Sequence, residues 1–389
     1  QTTNDDRQWQ LSQELQLAGK AFGDRVSYVL GAFYFKEKAS DMATADLAIG
    51  LNPPLVLTPP FTPAVFIQNY VDNKGWAVFG QADVKITDGL SLTVGGRYTH
   101  DTKRFTSINV RQRDNVEFVN TTVEATFKKF TPRLGVNYAV TDDVMLYASW
   151  SKGFKQGGFN GRPLVSQAEV TQFRPEELET YEIGIKSQWL DRTLTANLAV
   201  FHSIYNDIQL TVNQTPTNFV ANAAKGKVDG FELELVMRPV RWFTANAAVG
   251  YLDARYTSIG EGLGPTQILP ITLSSHFVKA PDWTVSAGAE VRHEFSGGSE
   301  VTLRGDVSMY SRTYHDVANT PIITDDGYAL VNARISYTLP GGDIQLSAFG
   351  TNLTNTLYLV SGNASGAFGL AEASYGRPRE WGVSASFKF

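Results

Sequence analysis

Between Trp381 and Phe389 the chain alternates: Trp381, Val383, Ala385, Phe387 and Phe389 are aromatic or aliphatic, and the residues between them are small or charged. A period of two with an aromatic end is the pattern of a membrane-spanning β-strand with one face on lipid. The pattern recurs upstream. In 300–310, Val301, Leu303, Val307 and Met309 share one face, and Thr302, Arg304, Asp306 and Ser308 share the other. In 283–295, Trp283, Val285, Ala287, Ala289 and Val291 oppose Glu290, Arg292 and Glu294. Arg97, Arg133, Lys186, Glu232, Glu234 and Arg334 fall on the polar side of their own segments in the same way. A charge against lipid is costly, so this face is expected to line a wet or protein-filled lumen.

Segments of this kind number about fifteen. They lie near 8–18, 25–36, 74–87, 90–101, 127–140, 144–154, 178–190, 193–207, 227–238, 242–255, 282–295, 299–312, 327–339, 343–353 and 380–389. Turn residues such as Gly23-Asp24, Asp88-Gly89, Gly297-Gly298 and Gly341-Gly342 join them at one end, as tight hairpins require. Longer stretches, 37–73, 155–176, 257–280 and 355–376, alternate with these turns. Short turns at one end and long loops at the other are the asymmetry of an outer-membrane barrel.

Composition narrows the class. Hydrophobic residues make up 42% of the 389, and no stretch approaches the ~20 continuous apolar residues of a transmembrane helix. A membrane protein of such modest hydropathy has to be an all-β, antiparallel transmembrane barrel, since only alternate residues face lipid. The absence of Cys excludes disulfides and thiolate metal sites. A net charge of -5 argues against a nucleic-acid partner. The five His are scattered with no metal-ligand spacing, and His202 and Ser203, as neighbours on a strand, point to opposite faces. No catalytic residue, metal site or cofactor is expected, which leaves a barrel enzyme as the weakest reading.

Several ordered motifs resemble the TonB-dependent outer-membrane receptors. They are Thr131-Pro-Arg-Leu-Gly-Val-Asn-Tyr138, Leu146 to Asn160, Tyr181-Glu-Ile-Gly-Ile-Lys186, Asn206-Asp-Ile-Gln209, Gly230-Phe-Glu-Leu-Glu234, Gly350 to Asn355 and Gly376-Arg-Pro-Arg379. The resemblance implies a 22-stranded barrel holding an N-terminal plug, with TonB-supplied energy driving uptake of a scarce ligand, usually a ferric siderophore. Fifteen strands then read as the C-terminal part of the barrel over 1–389, with the plug, the TonB box and the first strands outside it. An odd strand count and the lack of a signal peptide at Gln1 are read the same way. A sheet of this size is expected either to stay open, its first and last strands unpaired, or to be forced closed into a smaller barrel with 8–18 paired to 380–389. The implied partners are outer-membrane lipid and lipopolysaccharide, the plug, the TonB complex, a siderophore-like small molecule, and the barrel assembly machinery, which would recognise Phe389.

The candidate ligand contacts are the external-loop residues Phe159, Asn160, Arg162 and Tyr314, with Phe61, Phe66, Tyr70 and Phe173 as further loop aromatics. Trp76, Trp150, Trp189, Trp242 and Trp283 are expected in interfacial girdles instead. The glycines of Gly153-Phe154 and Gly157-Gly158-Phe159 read as a sharp strand exit, and Arg377-Pro378-Arg379 as an anchor before the last strand. A passive porin, or a receptor for another cargo such as cobalamin or an oligosaccharide, remains the alternative.

Overall fold

Each of the alternating segments becomes a strand of one antiparallel sheet in the computed structural model, which describes residues 2–46, 64–112, 114–163, 166–214, 217–260, 271–365 and 370–388. The strands are β1 Thr2–Ala21, β2 Val26–Asp46, β3 Ala64–Lys85, β4 Leu90–Arg111, β5 Val116–Thr141, β6 Val144–Lys155, β7 Glu176–Trp189 and β8 Leu194–Gln214. They continue as β9 Thr217–Val240, β10 Phe243–Ile259, β11 Trp283–Glu294, β12 Glu300–Tyr310, β13 Tyr328–Thr338, β14 Ile344–Thr351 and β15 Glu380–Phe387. Their spatial order is their chain order, so the fold is a meander of hairpins. β1 and β15 end that order, and among the described residues no pairing joins them.

The turns at one end work as their residues dictate. Gly23, Gly298, Gly341 and Gly342 take left-handed backbone angles, φ 63°, 78°, 92° and 81°, at almost no steric cost. The β7–β8 turn carries three non-glycine residues in that region, Leu190, Asp191 and Arg192. It is held by Thr193, whose Oγ1 donates to the Leu190 carbonyl at 2.7 Å, and by Arg192, whose Nε lies 2.8 Å from Asp143.

Register sorts the side chains into two faces. Val291, Leu303, Ile335, Ala348 and Val383 form one continuous row across β11 to β15. Leu303, Ile335 and Val383 are 52%, 50% and 85% exposed, so this row looks outward. The next row is Glu290, Arg304, Arg334, Phe349 and Gly382, on the opposite face. Exposed Tyr34, Trp76, Phe130, Tyr181, Trp283 and Trp381 sit toward the long-loop end of the outward face. Tyr138, Trp189, Trp242, Tyr337 and Phe387 sit toward the short-turn end. These are two interfacial girdles flanking an apolar band. No helix among the described residues is long and apolar enough to cross a membrane; the crossing belongs to the strands.

Several strands outrun the sequence expectation. β4 and β5 reach Arg111 and Val116, where 101 and 127 were expected, and β2 and β8 are longer in the same way. Beyond the girdle neither face meets lipid, so the apolar and polar positions lose their alternation while the backbone ladder continues. Outward Thr102 and Thr126 contact at 3.2 Å, and Thr106 and Thr122 at 2.8 Å. Inward Phe105, Ser107 and Asn109 are buried. Phe66 and Tyr70, expected in a loop, therefore lie within β3 on its outward face. Phe61 and Phe389 lie outside the described residues.

The facing predicts an asymmetry in stability. Leu303→Arg is expected to cost about 2–4 kcal/mol near the bilayer midplane, whereas Thr302→Arg is expected to cost about 1 kcal/mol or less. Denaturant unfolding of the protein in lipid vesicles measures both, and equal costs would reverse the assignment of faces.

Candidate functional site

The loop between β6 and β7 does not project away from the sheet; it folds back over the polar face. Asn69 Nδ2 donates to the Gly161 carbonyl at 2.7 Å, Asn109 Nδ2 donates to the Pro163 carbonyl, and Arg162 Nη2 lies 3.1 Å from Asp41 Oδ2. Asp41, Asn69 and Asn109 belong to β2, β3 and β4 and share the face of Arg97. On its other side the same segment grips β9. Asn160 Nδ2 donates to the Val220 carbonyl at 2.9 Å, and the Val220 N–H donates to Asn160 Oδ1 at 2.7 Å. A few residues thus reach strands far apart in the sheet order, which makes the polar face the concave one.

The return of the loop is fixed as firmly. Asn160 Nδ2 also donates to Thr171 Oγ1 at 2.9 Å, and its backbone N–H to the Thr171 carbonyl at 2.8 Å. The Arg174 N–H donates to Asn222 Oδ1 at 2.6 Å, Asn222 Nδ2 donates back to the Arg174 carbonyl at 2.8 Å, and the Arg174 guanidinium lies 2.7 Å from Asp207. Buried Glu176 accepts from the Tyr205 hydroxyl and the Gln209 N–H, each at 2.7 Å.

The glycines here have a different purpose from the sharp strand exit expected. A Cβ at Gly157 would lie 2.4 Å from the Phe173 carbonyl oxygen and 2.7 Å from the Phe127 ring; at Gly161 it would lie 2.7 Å from Phe105. Their missing side chains let aromatic rings and backbone approach closely. Gly153 lies inside β6 with open space around it.

The four candidate contacts are divided between two loop regions. Phe159 stacks on Phe105 with centroids 6.1 Å apart, and Arg162 is half exposed beside Asp41. Every polar side-chain atom of Asn160 is committed to the latch just described. Tyr314 belongs to the stretch between β12 and β13, where its ring stacks on His276 at 4.7 Å and 11°. A hydrogen bond to Tyr314 first, then one to Asp326 at 2.7 Å, pushes the Arg312 guanidinium pKa above its already high value. Composition gave no sign that these outer segments carry their own apolar cluster, Ile208, Leu210, Ala223, Ala224, Tyr256, Ile271 and Val317. The Arg377 to Arg379 segment is held by its backbone: Asn352 Nδ2 donates to the Arg377 carbonyl at 3.1 Å, and the Arg379 N–H to Asn355 Oδ1 at 3.0 Å.

Register puts Arg97, Arg133, Lys186, Glu232, Glu234, Arg292, Arg304, Asp306 and Arg334 on the concave face. Arg97 lies 5.4 Å from both the Phe33 and Phe79 rings, Arg334 lies 5.1 Å from Phe349, and Lys186 5.9 Å from Tyr147. Arg304 holds Asp306 at 2.6 Å, and Arg292 lies 3.4 Å from Glu290. Such half-wet pairs contribute about 0–1 kcal/mol each. Among the described residues Glu232 and Arg133 have no hydrogen-bonding or ionic partner, and no group of His, Cys, Asp and Glu is arranged to hold a metal ion. His202 pairs outward with Asp229 at 2.5 Å, and Ser203 pairs inward with Thr180 at 2.9 Å.

A sequence model of the family described as TonB dependent receptor-like, β-barrel, matches residues 1–353. The chain is 32% identical over 150 residues to the metal-pseudopaline receptor CntO of Pseudomonas aeruginosa, a match covering 39% of this chain and 20% of that protein. It is 25% identical over 242 residues to the probable TonB-dependent siderophore receptor PiuA of Acinetobacter baumannii, covering 60% and 31%. In three dimensions it superimposes on the ferric yersiniabactin uptake receptor FyuA of Yersinia pestis with a TM-score of 0.83 at 19% identity, covering 100% of this chain and 55% of that one. PiuA gives a TM-score of 0.77 at 19% identity, with 100% and 56% covered. The chain thus spans about half the length of these solved receptors.

Asn160→Ala would strip the latch of three side-chain hydrogen bonds. Leaving the Val220 N–H without a partner is expected to cost about 1–3 kcal/mol locally. Amide hydrogen exchange over 156–175 should speed up while the β-strands of the band keep their protection; unchanged exchange in the loop would show that Asn160 is not the latch.

Proposed function

The chain belongs to the TonB-dependent receptor β-barrel family, an outer-membrane family of transport receptors, and on that premise we propose that it forms the C-terminal part of a ferric siderophore receptor's barrel. It supplies the wall and external loops; the earlier strands, the plug and the TonB-contacting box belong to the rest of the receptor. The carrying observation is the infolded β6–β7 loop. It narrows the mouth over a charged concave face, which suits a gated receptor better than an open diffusion pore. Phe159, Arg162 and Tyr314 are the residues we assign to ligand contact, with an aromatic ring and a guanidinium suited to a planar, anionic chelate.

The concave charges fit a removable plug better than a bound ligand. Glu232 and Glu234 stand on β9, one strand removed from Glu182 of β7, whereas on β11 to β13 Arg292 and Arg304 are met by Glu290 and Asp306 and Arg334 lies over the Phe349 ring. A plug surface of the complementary signs would be oriented by them while each contact stayed weak enough to break. No hydrolytic role is assigned, since His202 and Ser203 act on opposite faces. Conduction of ions by the purified receptor in a planar bilayer would instead favour the porin reading.

A strain lacking the receptor gene, grown in chelated medium with a single ferric siderophore as iron source, should fail on at least one siderophore. Growth should return with the intact gene only when the TonB system is functional. Unimpaired growth of the deletion strain on every siderophore supplied would overturn the cargo assignment.

A further inference from the structure

Asn160 is the one asparagine of the chain that is followed by glycine. The pair is chemically labile: asparagine is a thermolabile residue, and a following glycine has no side chain to keep its backbone nitrogen from the asparagine amide. Each half of the pair is nevertheless required by the fold. At 160 the Val220 bridge needs a side chain that donates and accepts at once, through Nδ2 to the Val220 carbonyl and from the Val220 N–H to Oδ1. At 161 a Cβ would lie 2.7 Å from the Phe105 ring, so only glycine fits.

We propose that Asn160–Gly161 is a site of spontaneous deamidation, guarded by the closed latch and releasing it irreversibly once it has reacted. The Gly161 nitrogen gives up its proton and bonds to Asn160 Cγ, the Cγ–Nδ2 bond breaks, and Nδ2 leaves as ammonia. Water then opens the cyclic imide at either carbonyl, yielding aspartate or isoaspartate. One water is consumed and one ammonia released, with no oxidant or cofactor.

The closed latch holds this reaction back. Asn160 is 9% exposed, its amide bonds to Thr171 and Val220, and its backbone N–H bonds to the Thr171 carbonyl. Turning Cγ toward the Gly161 nitrogen breaks those side-chain bonds, so reaction waits for the loop to open. Once formed, the product cannot close again. A carboxylate only accepts, and one of its oxygens would stand where Nδ2 now meets the Val220 carbonyl at 2.9 Å. Isoaspartate also lengthens the main chain by a methylene, which draws the Gly161 carbonyl away from Asn69 Nδ2 and presses the segment on Phe105. The inference rests on the latch and is independent of the cargo.

The test ages the full-length receptor in detergent at physiological temperature, with peptide mapping by mass spectrometry resolving Asn, Asp and isoAsp at 160. The chain unfolded in guanidinium should convert at least about tenfold faster than the folded receptor, since several hydrogen bonds must open first. Asn69→Ala, which frees the Gly161 carbonyl, should speed conversion in the folded receptor by about fivefold, the effect of one lost hydrogen bond. Asn160→Asp should show from the outset the fast amide exchange over 156–175 that the aged wild type acquires. Heat-modifiable migration on gels checks that each variant is folded; if Asn69→Ala is not, the folded and unfolded wild type still decide. Equal conversion of folded and unfolded chains would overturn the proposal. So would equal conversion of wild type and folded Asn69→Ala, no Asp or isoAsp in folded receptor aged for many unfolded half-lives, or deamidated receptor whose loop exchanges as before.

Discussion

In hydrocarbon no water is present to take a backbone N–H or C=O, and everything else in this chain follows from that constraint. It forces the polypeptide into a continuous ladder, which the meander of β1 to β15 provides strand by strand. The ladder in turn fixes a period of two, and the period sends each side chain irrevocably to lipid or to the interior. Charged residues become tolerable in number only because half of every strand is turned away from lipid. The constraint also bears on β1 and β15, whose outer edges carry donors and acceptors that require partner strands wherever they meet the membrane.

A concave face lined by so many strands is too wide for its own side chains to fill. The β6–β7 loop answers this by packing inward, and the means are short amides and missing side chains rather than a hydrophobic core. Asn69, Asn109, Asn160 and Asn222 each bind a backbone carbonyl of a distant segment. An amide can both donate and accept, so one residue such as Asn160 closes a two-way bridge to Val220. Gly157 and Gly161 let the backbone approach Phe127, Phe173 and Phe105. The cost of ordering such a long loop is thus offset by hydrogen bonds in a place sheltered from water.

The strand count and the two faces were readable from the alternation because a single local rule, lipid on one side, governs each spanning segment. The family was readable because motifs such as Tyr181 to Lys186 recur in order. The strand ends were not readable: above the girdle the rule lapses, and β4 continues through Thr102, Arg104 and Thr106 on a face that water and loops share. The loop was not readable either. Its decisive contacts join Asn160 to Val220 and Asn69 to Gly161, pairings of high sequence separation that leave no periodic trace. Gly157 reads as a sharp strand exit because a glycine's need for space and its need for conformational freedom have the same spelling.

The outward charges above the girdle show why pairing matters more than their number. On β8 to β10, His202, Asp229, Arg255 and Asp253 form a closed network, with Arg255 at 3.0 Å from Asp229 and 3.1 Å from Asp253. Its cation is already met by carboxylates, so it presents little net field to the leaflet. Lys36 and Lys74 are the reverse case, two ammonium groups set against each other where a glutamate in either place would have made an ion pair. A sheet surface in contact with water could shed that repulsion by spreading the side chains into solvent. At the height of Trp76 the girdle marks the edge of the hydrocarbon, so these two ammonium groups have less water to spread into than charges farther out on the same strands.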